Sequence, residues 1–437
     1  MKTLKNIKLS REKQKEKILI LDTGTFCDFK LMDTLVLNLR KKFQLVYITD
    51  HKHFLHSEDI KINYSIPKFL LDELSEIMSS MTTSTFSKLK WISFNPMKSL
   101  RAISYIVNPI INDTILTYKP KLMIAHSSQL IQLILGFRVS SYFNIPTYII
   151  HFAPGLIPND QFPLSTCNLY KDPNYNNYLS KNKLSNIISF KSIMSELNIK
   201  TSKIYFQRVT HINCFSDPYI NEPTYGFNNL KIETIGPFLP LIEKRDLPSS
   251  LKSWMKQIPR DSRLLFFTLG SFSNVLIKLL PNILKEFISY CEKYQYFLIF
   301  QDDFSKNDYS QKSPQLYLSR DFISYPSIVP LCDLVIFTGS LCLQNICFNY
   351  LKPMLFIPYL IEQFLWGRVY KKYTKIPFYD FQQPDKYNLS NLINKAINVD
   401  KNMLMTIKNS LNTNPSQDLL KIISKSSKKS VKKSLWS

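Results

Sequence analysis

A chain of 437 residues is long enough for two domains, each with a core of ordinary size. Its hydrophobic content of 45% and charged content of 20% exclude a disordered chain. No apolar run reaches the roughly eighteen residues that a membrane-spanning helix needs. Lys and Arg number 56 against 33 Asp and Glu, a net charge of +23. That excess either suits an anionic surface (acidic lipid or nucleic acid) or marks a solvated basic face.

In chain order, a basic segment (Lys2, Lys5, Lys8, Arg11, Lys13, Lys15, Lys17) leads into Ile18-Leu-Ile-Leu-Asp22, which reads as a buried parallel strand. Ile18–Leu21 is too short for the apolar stretch of a signal peptide, so a cytoplasmic or membrane-peripheral protein is expected. Leu31, Leu35 and Leu39 have helical spacing and predict a helix over Leu31–Lys42, with the next strand at Phe43–Thr49. Further on come a helix over Ile111–Tyr118, a strand Lys121–Ala125, a helix Leu130–Asn144 ending before Pro146, and a strand Thr147–Phe152. Ile212–Phe215 and Ile232–Ile235 add two more strands. Strands alternating with helices predict a doubly wound α/β domain.

Gly236-Pro237 opens a Pro-containing, charged stretch that reads as a linker. The pattern then restarts with strand Leu264–Thr268, turn Leu269-Gly270-Ser271, helix Val275–Lys293 and strand Tyr296–Phe300. Strand Leu334–Phe337 runs into Thr338-Gly339-Ser340 and a helix. Lys352-Pro353, strand Met354–Ile357 and the cluster Pro358, Glu362, Gln363 follow. The last helices are expected at about Ser390–Leu411, and a Lys/Ser-rich, disordered tail after them. The expected division is a tail over 1–16, a first domain over 17–236, a linker over 237–262, a second domain over 263–411 and a tail over 412–437.

Gly24, Gly270 and Gly339 each follow a strand and precede a helix, which places them on the rim where open α/β sheets bind ligands. Neither GxGxxG nor a P-loop pattern occurs, and the seven cysteines form no CxxC pair. Free Cys within apolar segments points to a reducing compartment. His51, His53 and His56 lack the partners of a metal site and read as a solvated loop. A strand–turn–helix such as Leu334–Ser340 aims backbone N–H groups and a helix N-terminus at one point, which suits phosphate.

Several of these segments resemble the nucleotide-sugar-dependent glycosyltransferases of GT-B fold, and the UDP-glycosyltransferases with their sterol and antibiotic glucosyltransferase branch in particular. Tyr118-Lys-Pro-Lys-Leu-Met-Ile-Ala125 is similar to that family's "kPDlvi" strand, and Phe143-Asn-Ile-Pro146 to its "lgiP". Val329-Pro-Leu-Cys-Asp-Leu-Val-Ile-Phe-Thr-Gly-Ser340 is similar to "lphcDlvithGG", with Pro353, Pro358, Glu362 and Gln363 at the family's intervals. The resemblance spans about 17–410 and implies two Rossmann-like domains facing across a cleft. It also implies transfer of a sugar from a UDP-linked donor to a hydroxyl acceptor with inversion, and neither metal nor cofactor.

Carried over residue by residue, Glu362 and Gln363 take the place of the pair that binds donor-sugar hydroxyls. Gly270 and Ser271 take that of the turn approaching the phosphates. Phe322 and Tyr325 fall at or beside the positions that contact uracil, where an aromatic ring could stack or simply pack in the core. Thr338, with Gly339 and Ser340, stands where the family has a phosphate-binding histidine and two glycines. Leu343 replaces a phosphate-contacting Ser/Thr, and Ile346 replaces the ribose-gripping glutamate.

The family's general-base histidine follows the first strand and is positioned by a later aspartate. Here Cys27 or Asp28 stands at the histidine's place and His126 at the aspartate's. The resemblance thus implies a reversed pair, Asp28 with His126, as the catalytic groups; otherwise Asp28 caps a helix and His126 is a strand-end polar residue. His151 is a third candidate. His151–Pro163 is similar to the sterol-type branch, and with the basic tails it points to a lipid acceptor at an anionic membrane. Two other classes remain: a catalytically inactive GT-B relative acting as a binding protein, and a nucleic-acid-associated protein. The last is disfavoured because no RNA- or DNA-reading motif accompanies the charge.

Overall fold

The structure is a computed structural model that describes residues 15–22, 26–49, 56–63, 108–126, 130–152, 209–215, 231–270, 280–302, 313–358, 363, 367, 374–379 and 388–434. Two parallel sheets organise these residues. The first comprises β1 (Glu16–Asp22), β2 (Phe43–Thr49), β3 (Ile60–Asn63), β4 (Leu122–His126), β5 (Thr147–His151), β6 (Val209–Asn213) and β7 (Lys231–Thr234), in the order β3-β2-β1-β4-β5-β6-β7. The second holds β8 (Leu264–Thr268), β9 (Phe297–Gln301), β10 (Leu316–Ser319), β11 (Leu334–Phe337) and β12 (Met354–Phe356), in the order β10-β9-β8-β11-β12. Every pairing is parallel, so both sheets are doubly wound, as expected.

The helices are α1 (Phe26–Val36), α2 (residues 108–118), α3 (Leu130–Phe143), α4 (Ser249–Met255), α5 (Leu280–Tyr294), α6 (Tyr325–Ile328), α7 (Leu341–Asn349), α8 (Leu389–Ile397), α9 (Lys401–Ser410) and α10 (Pro415–Ser434). Parallel sheets covered on both faces need strands without alternation. Ile18, Leu19, Ile20 and Leu21 are all fully buried, which is why β1 reads as an unbroken apolar run.

One apolar core runs across both domains. It joins one face of the first sheet (Ile18, Ile20, Ile124, Ile150) to Leu31, Met32 and Leu35 of α1, to Phe266 and Val335 of the second sheet, and to Ile346 and Phe348 of α7. A second cluster covers the other face of the second sheet, where Leu265, Phe267 and Ile336 meet Phe287 of α5 and Ile393 of α8.

The stretch between the sheets is stitched to its surroundings. Leu241 N–H donates to Thr34 Oγ1 at 2.8 Å, Asn345 Nδ2 donates to the Phe238 carbonyl at 2.8 Å, and Ser324 Oγ donates to the Glu243 carbonyl at 2.7 Å. These bonds tie the connection to α1, to α7 and to the start of α6.

The disordered tail expected from 412 onward is corrected by α10, a helix of 20 residues. Its Leu419, Leu420, Ile422 and Ile423 are buried in the shared core, each contributing about 1.5–3 kcal/mol. Asn38 N–H donates to Ser416 Oγ and ties its start to the end of the α1 region. The Lys/Ser composition of the second half of α10 masks the apolar face of the first half.

Candidate active site

In a doubly wound sheet the strand order reverses at one point, and the crevice beyond the carboxyl ends of the two strands flanking it is where ligands bind. In the first sheet those strands are β1 and β4, which end in Asp22 and His126. Their register, Leu21 opposite Ala125, brings the two side chains together. His126 Nε2 lies 2.9 Å from Asp22 Oδ1, with both side chains fully buried. A carboxylate only accepts, so the imidazole donates through Nε2. Among the described residues Asp22 Oδ2 has no hydrogen-bond partner. An orphaned buried carboxylate oxygen is costly in a fold and clusters at functional sites.

Asp28, the carboxylate expected to serve His126, sits half-buried in the first turn of α1. Its charge bears on the buried Cys342 thiol at the start of α7. That thiol is hydrogen-bonded to Cys27, and the Cys27 contact followed by burial pushes its pKa well up. The helix starts of the two domains thus meet through a pair of sulfurs. The hydrogen bond that the structure records for His126 goes to Asp22, which the sequence reading passed over as the last residue of a strand. Its signal was there: a lone carboxylate closing an apolar strand at the same rim as Gly24.

His151 follows a different course. β4 pairs with β5 with His126 opposite Ile150, so His151, one residue on, points to the other face of the sheet. There His151 Nε2 lies 2.9 Å from His211 Nδ1, the rings are stacked at 5.2 Å, and Phe137 of α3 covers His211 at 5.8 Å. Burial lowers the His211 pKa to about 4, and burial reinforced by His211 lowers that of His151 well below its ordinary value. The pair is neutral and structural in character.

In the second sheet the order reverses between β8 and β11, which end at Thr268 and Phe337. Gly270 N–H donates to Thr268 Oγ1 at 3.2 Å, and at φ +62° it adopts the left-handed conformation with open space where a Cβ would stand. Gly339 has φ +106°, and a Cβ there would meet Gln363 Cβ at 3.3 Å. The structure therefore brings Gly339 and Gln363 together, with Thr338 buried and Ser340 at the N-cap of α7. The Ser340 side chain makes no capping hydrogen bond to α7, whose N-terminus carries the partial positive charge of a helix start.

Gln344 was not foreseen. Fully buried, it donates through Nε2 to the Gly339 carbonyl at 2.6 Å, which pins the turn, while its Oε1 has no partner among the described residues. Leu343 and Ile346 are buried in the apolar core. Of the two aromatic candidates, Tyr325 is buried beside Phe266, with ring centroids 6.3 Å apart. Phe322 packs edge-on against Tyr325 at 5.2 Å and is 37% exposed. Ser271 and Glu362, along with Gly24, His51 and His53, lie outside the described residues. His56 is exposed. Among the described residues no group of three or more His, Cys, Asp or Glu could hold a metal ion, and no helix is long and apolar enough to cross a membrane.

Two doubly wound parallel sheets joined by one connection, with glycine turns at the second switch point, define the GT-B fold of glycosyltransferases. Solved structures agree along nearly the whole chain. The kitacinnamycin glycosyltransferase superposes with a TM-score of 0.60 at 10% identity, over 94% of this chain and 99% of its own. The spinosyn rhamnosyltransferase SpnG, solved with thymidine diphosphate, gives 0.56 at 11% identity over 94% and 100%. Phytolacca americana UGT2, solved with UDP-2fluoro-glucose and pterostilbene, gives 0.58 at 10% over 95% and 100%. No protein-family model and no curated protein sequence matches the chain.

Proposed function

We propose that this protein transfers a sugar from a nucleoside-diphosphate donor, UDP-linked, to a hydroxyl acceptor, with inversion and without a metal. The observation that carries this reading is the buried Asp22–His126 contact at the first switch point, paired with an uncapped helix and glycine turn at the second. The acceptor hydroxyl would attack the anomeric carbon from the side opposite the diphosphate. His126 would take its proton, and the Asp22 carboxylate would stabilise the imidazolium. The leaving diphosphate would meet the N-terminus of α7, with Thr338 and Ser340 close by. Gln363, against Gly339, and Glu362 would bind hydroxyls of the donor sugar. Phe322 would lie on the base. Gly270 and Ser271 would approach the phosphates from the β8 side. Residues 17–236 would hold the acceptor and 263–411 the donor.

A second reading, a non-catalytic GT-B relative that binds nucleotide without turnover, is favoured by one feature: the ribose position is the buried apolar Ile346. Calorimetry with UDP and UDP-glucose, followed by UDP release in the presence of lipid extracts, separates the two. Heat and release are expected from the native chain. Asp22→Asn and His126→Ala should keep the heat and lower release by about 10²-fold or more, within the range of positioned acid–base groups. No heat with any nucleotide sugar removes both readings, heat without release leaves the second, and full release from His126→Ala ends the assignment of the base.

A further inference from the structure

The second half of α10 has no role in the site. From Leu419 to the end the sequence holds six lysines and no acidic residue. At 100° per residue, Lys421, Lys425, Lys428, Lys429 and Lys432 fall within a sector of about 100°, a stripe roughly 18 Å long when Lys433 is included. That stripe is centred about 150° around the helix from Leu419, Leu420, Ile422 and Ile423, which are buried in the core. Lys421 and Lys425 are exposed, as this geometry requires. Asp418, the last acidic residue, is occupied by Asn412 at 3.0 Å and Lys421 at 2.9 Å. The apolar half therefore anchors the helix to the fold, and the helical register gives these lysine positions a sector of their own, of which Lys421 and Lys425 are the exposed start.

We propose that this lysine stripe docks the protein on an anionic lipid surface. The chemistry favours lipid over nucleic acid on two counts. The stripe is lysine alone, a set of point charges, whereas base edges are read by arginine's fork. No aromatic residue between Asn412 and Ser434 offers a stacking platform for single strands. Trp436 comes two positions after Ser434 in the sequence, and indole rings favour the membrane interface. The docking does not depend on the glycosyl-transfer reading.

The test is co-sedimentation of the full chain with phosphatidylcholine vesicles, with and without phosphatidylserine. Binding is expected only with phosphatidylserine. It should fall steeply between 0.1 M and 1 M salt, as the Debye length drops from about 10 Å to about 3 Å. Each lysine near the surface is worth about fivefold in partitioning. Lys425→Gln/Lys428→Gln/Lys432→Gln should therefore lose about 100-fold, and the corresponding triple Glu variant more. Thermal midpoints equal to the native one certify that both variants are folded, and the Gln variant serves where the Glu variant fails to fold. Equal binding to neutral vesicles, or full binding by the folded Gln variant, overturns the proposal. So does displacement from phosphatidylserine vesicles by single-stranded RNA at lower concentration than the lipid, which would make nucleic acid the partner.

Discussion

Substituting Arg40 by Met tests the ionic cluster that fixes α1, the helix carrying Cys27 and Asp28 to the cleft. Arg40 follows the 3-10 turn after α1, and its guanidinium joins three elements. Nη2 donates to Asp33 Oδ1 on α1 at 2.7 Å, to Tyr47 Oη on β2 at 3.0 Å and to Asp59 Oδ2 before β3 at 3.0 Å, with Nε adding bonds to Asp59 at 3.2 and 3.3 Å. Arg40 is 5% exposed, and the Asp33 and Asp59 side chains are 11% and 1% exposed. Burial opposes the charge on Arg40, but Tyr47, Asp59 and Asp33 together outweigh it and raise its pKa. Met fills most of the space and leaves two carboxylates buried without a cation. Breaking a buried pair from one side costs about 3–5 kcal/mol. At about 2–4 °C per kcal/mol, the calorimetric transition of the first domain should fall by roughly 6–20 °C. Adding Asp33→Asn and Asp59→Asn to Arg40→Met removes the stranded charges and should recover at least half of that loss. A single variant within about 1 kcal/mol of native, or a triple variant as unstable as the single one, would refute the reasoning.

Three further outcomes follow from the geometry. His211 has a folded pKa of about 4 against an ordinary 6.5, so its share of stability is present above pH 6.5 and is lost as pH falls toward 4. That share is on the order of 3 kcal/mol, and His211→Phe should flatten the fall in urea midpoint between pH 7 and 4.5; an unchanged slope would count against the neutral pair. Gly339→Ala meets both a left-handed φ and Gln363 at 3.3 Å, a strain of about 1–3 kcal/mol, so nucleotide heat should weaken by about tenfold or more, and native affinity would sink the donor-turn assignment. Cys342 is buried with its thiol pKa pushed well up, so it should resist iodoacetamide in the native protein and label in urea, and rapid native labelling read by mass spectrometry would count against that packing.

The fold was legible because its signals are local. Buried parallel strands such as β1 and β11 leave unbroken apolar runs, and the glycines at 270 and 339 mark the rim directly. What escaped depends on contacts distant in sequence. Asp22 and His126 are 104 residues apart and meet through the crossing from β1 to β4, which no spacing rule specifies. The Arg40 cluster draws on residues whose separate neighbourhoods look like ordinary surface. Gln344 lies beside Asn345 in a mostly apolar helix, where a buried amide gives no signal until the turn it holds is seen. The tail was misjudged because composition was averaged over a helix whose two halves serve different purposes.

That tail also sets an order of assembly. Domains emerging from the ribosome generally fold as units, the first ahead of the second. Here the groove beside Leu31, Met32 and Leu35 stays open until Leu419, Leu420, Ile422 and Ile423 have been synthesised, nearly four hundred residues later. The first domain to begin folding is the last to be sealed, and a nascent chain carries its exposed apolar seam through almost all of translation. A stop codon that removed only α10 would leave every residue of the candidate site encoded and still return that seam to water.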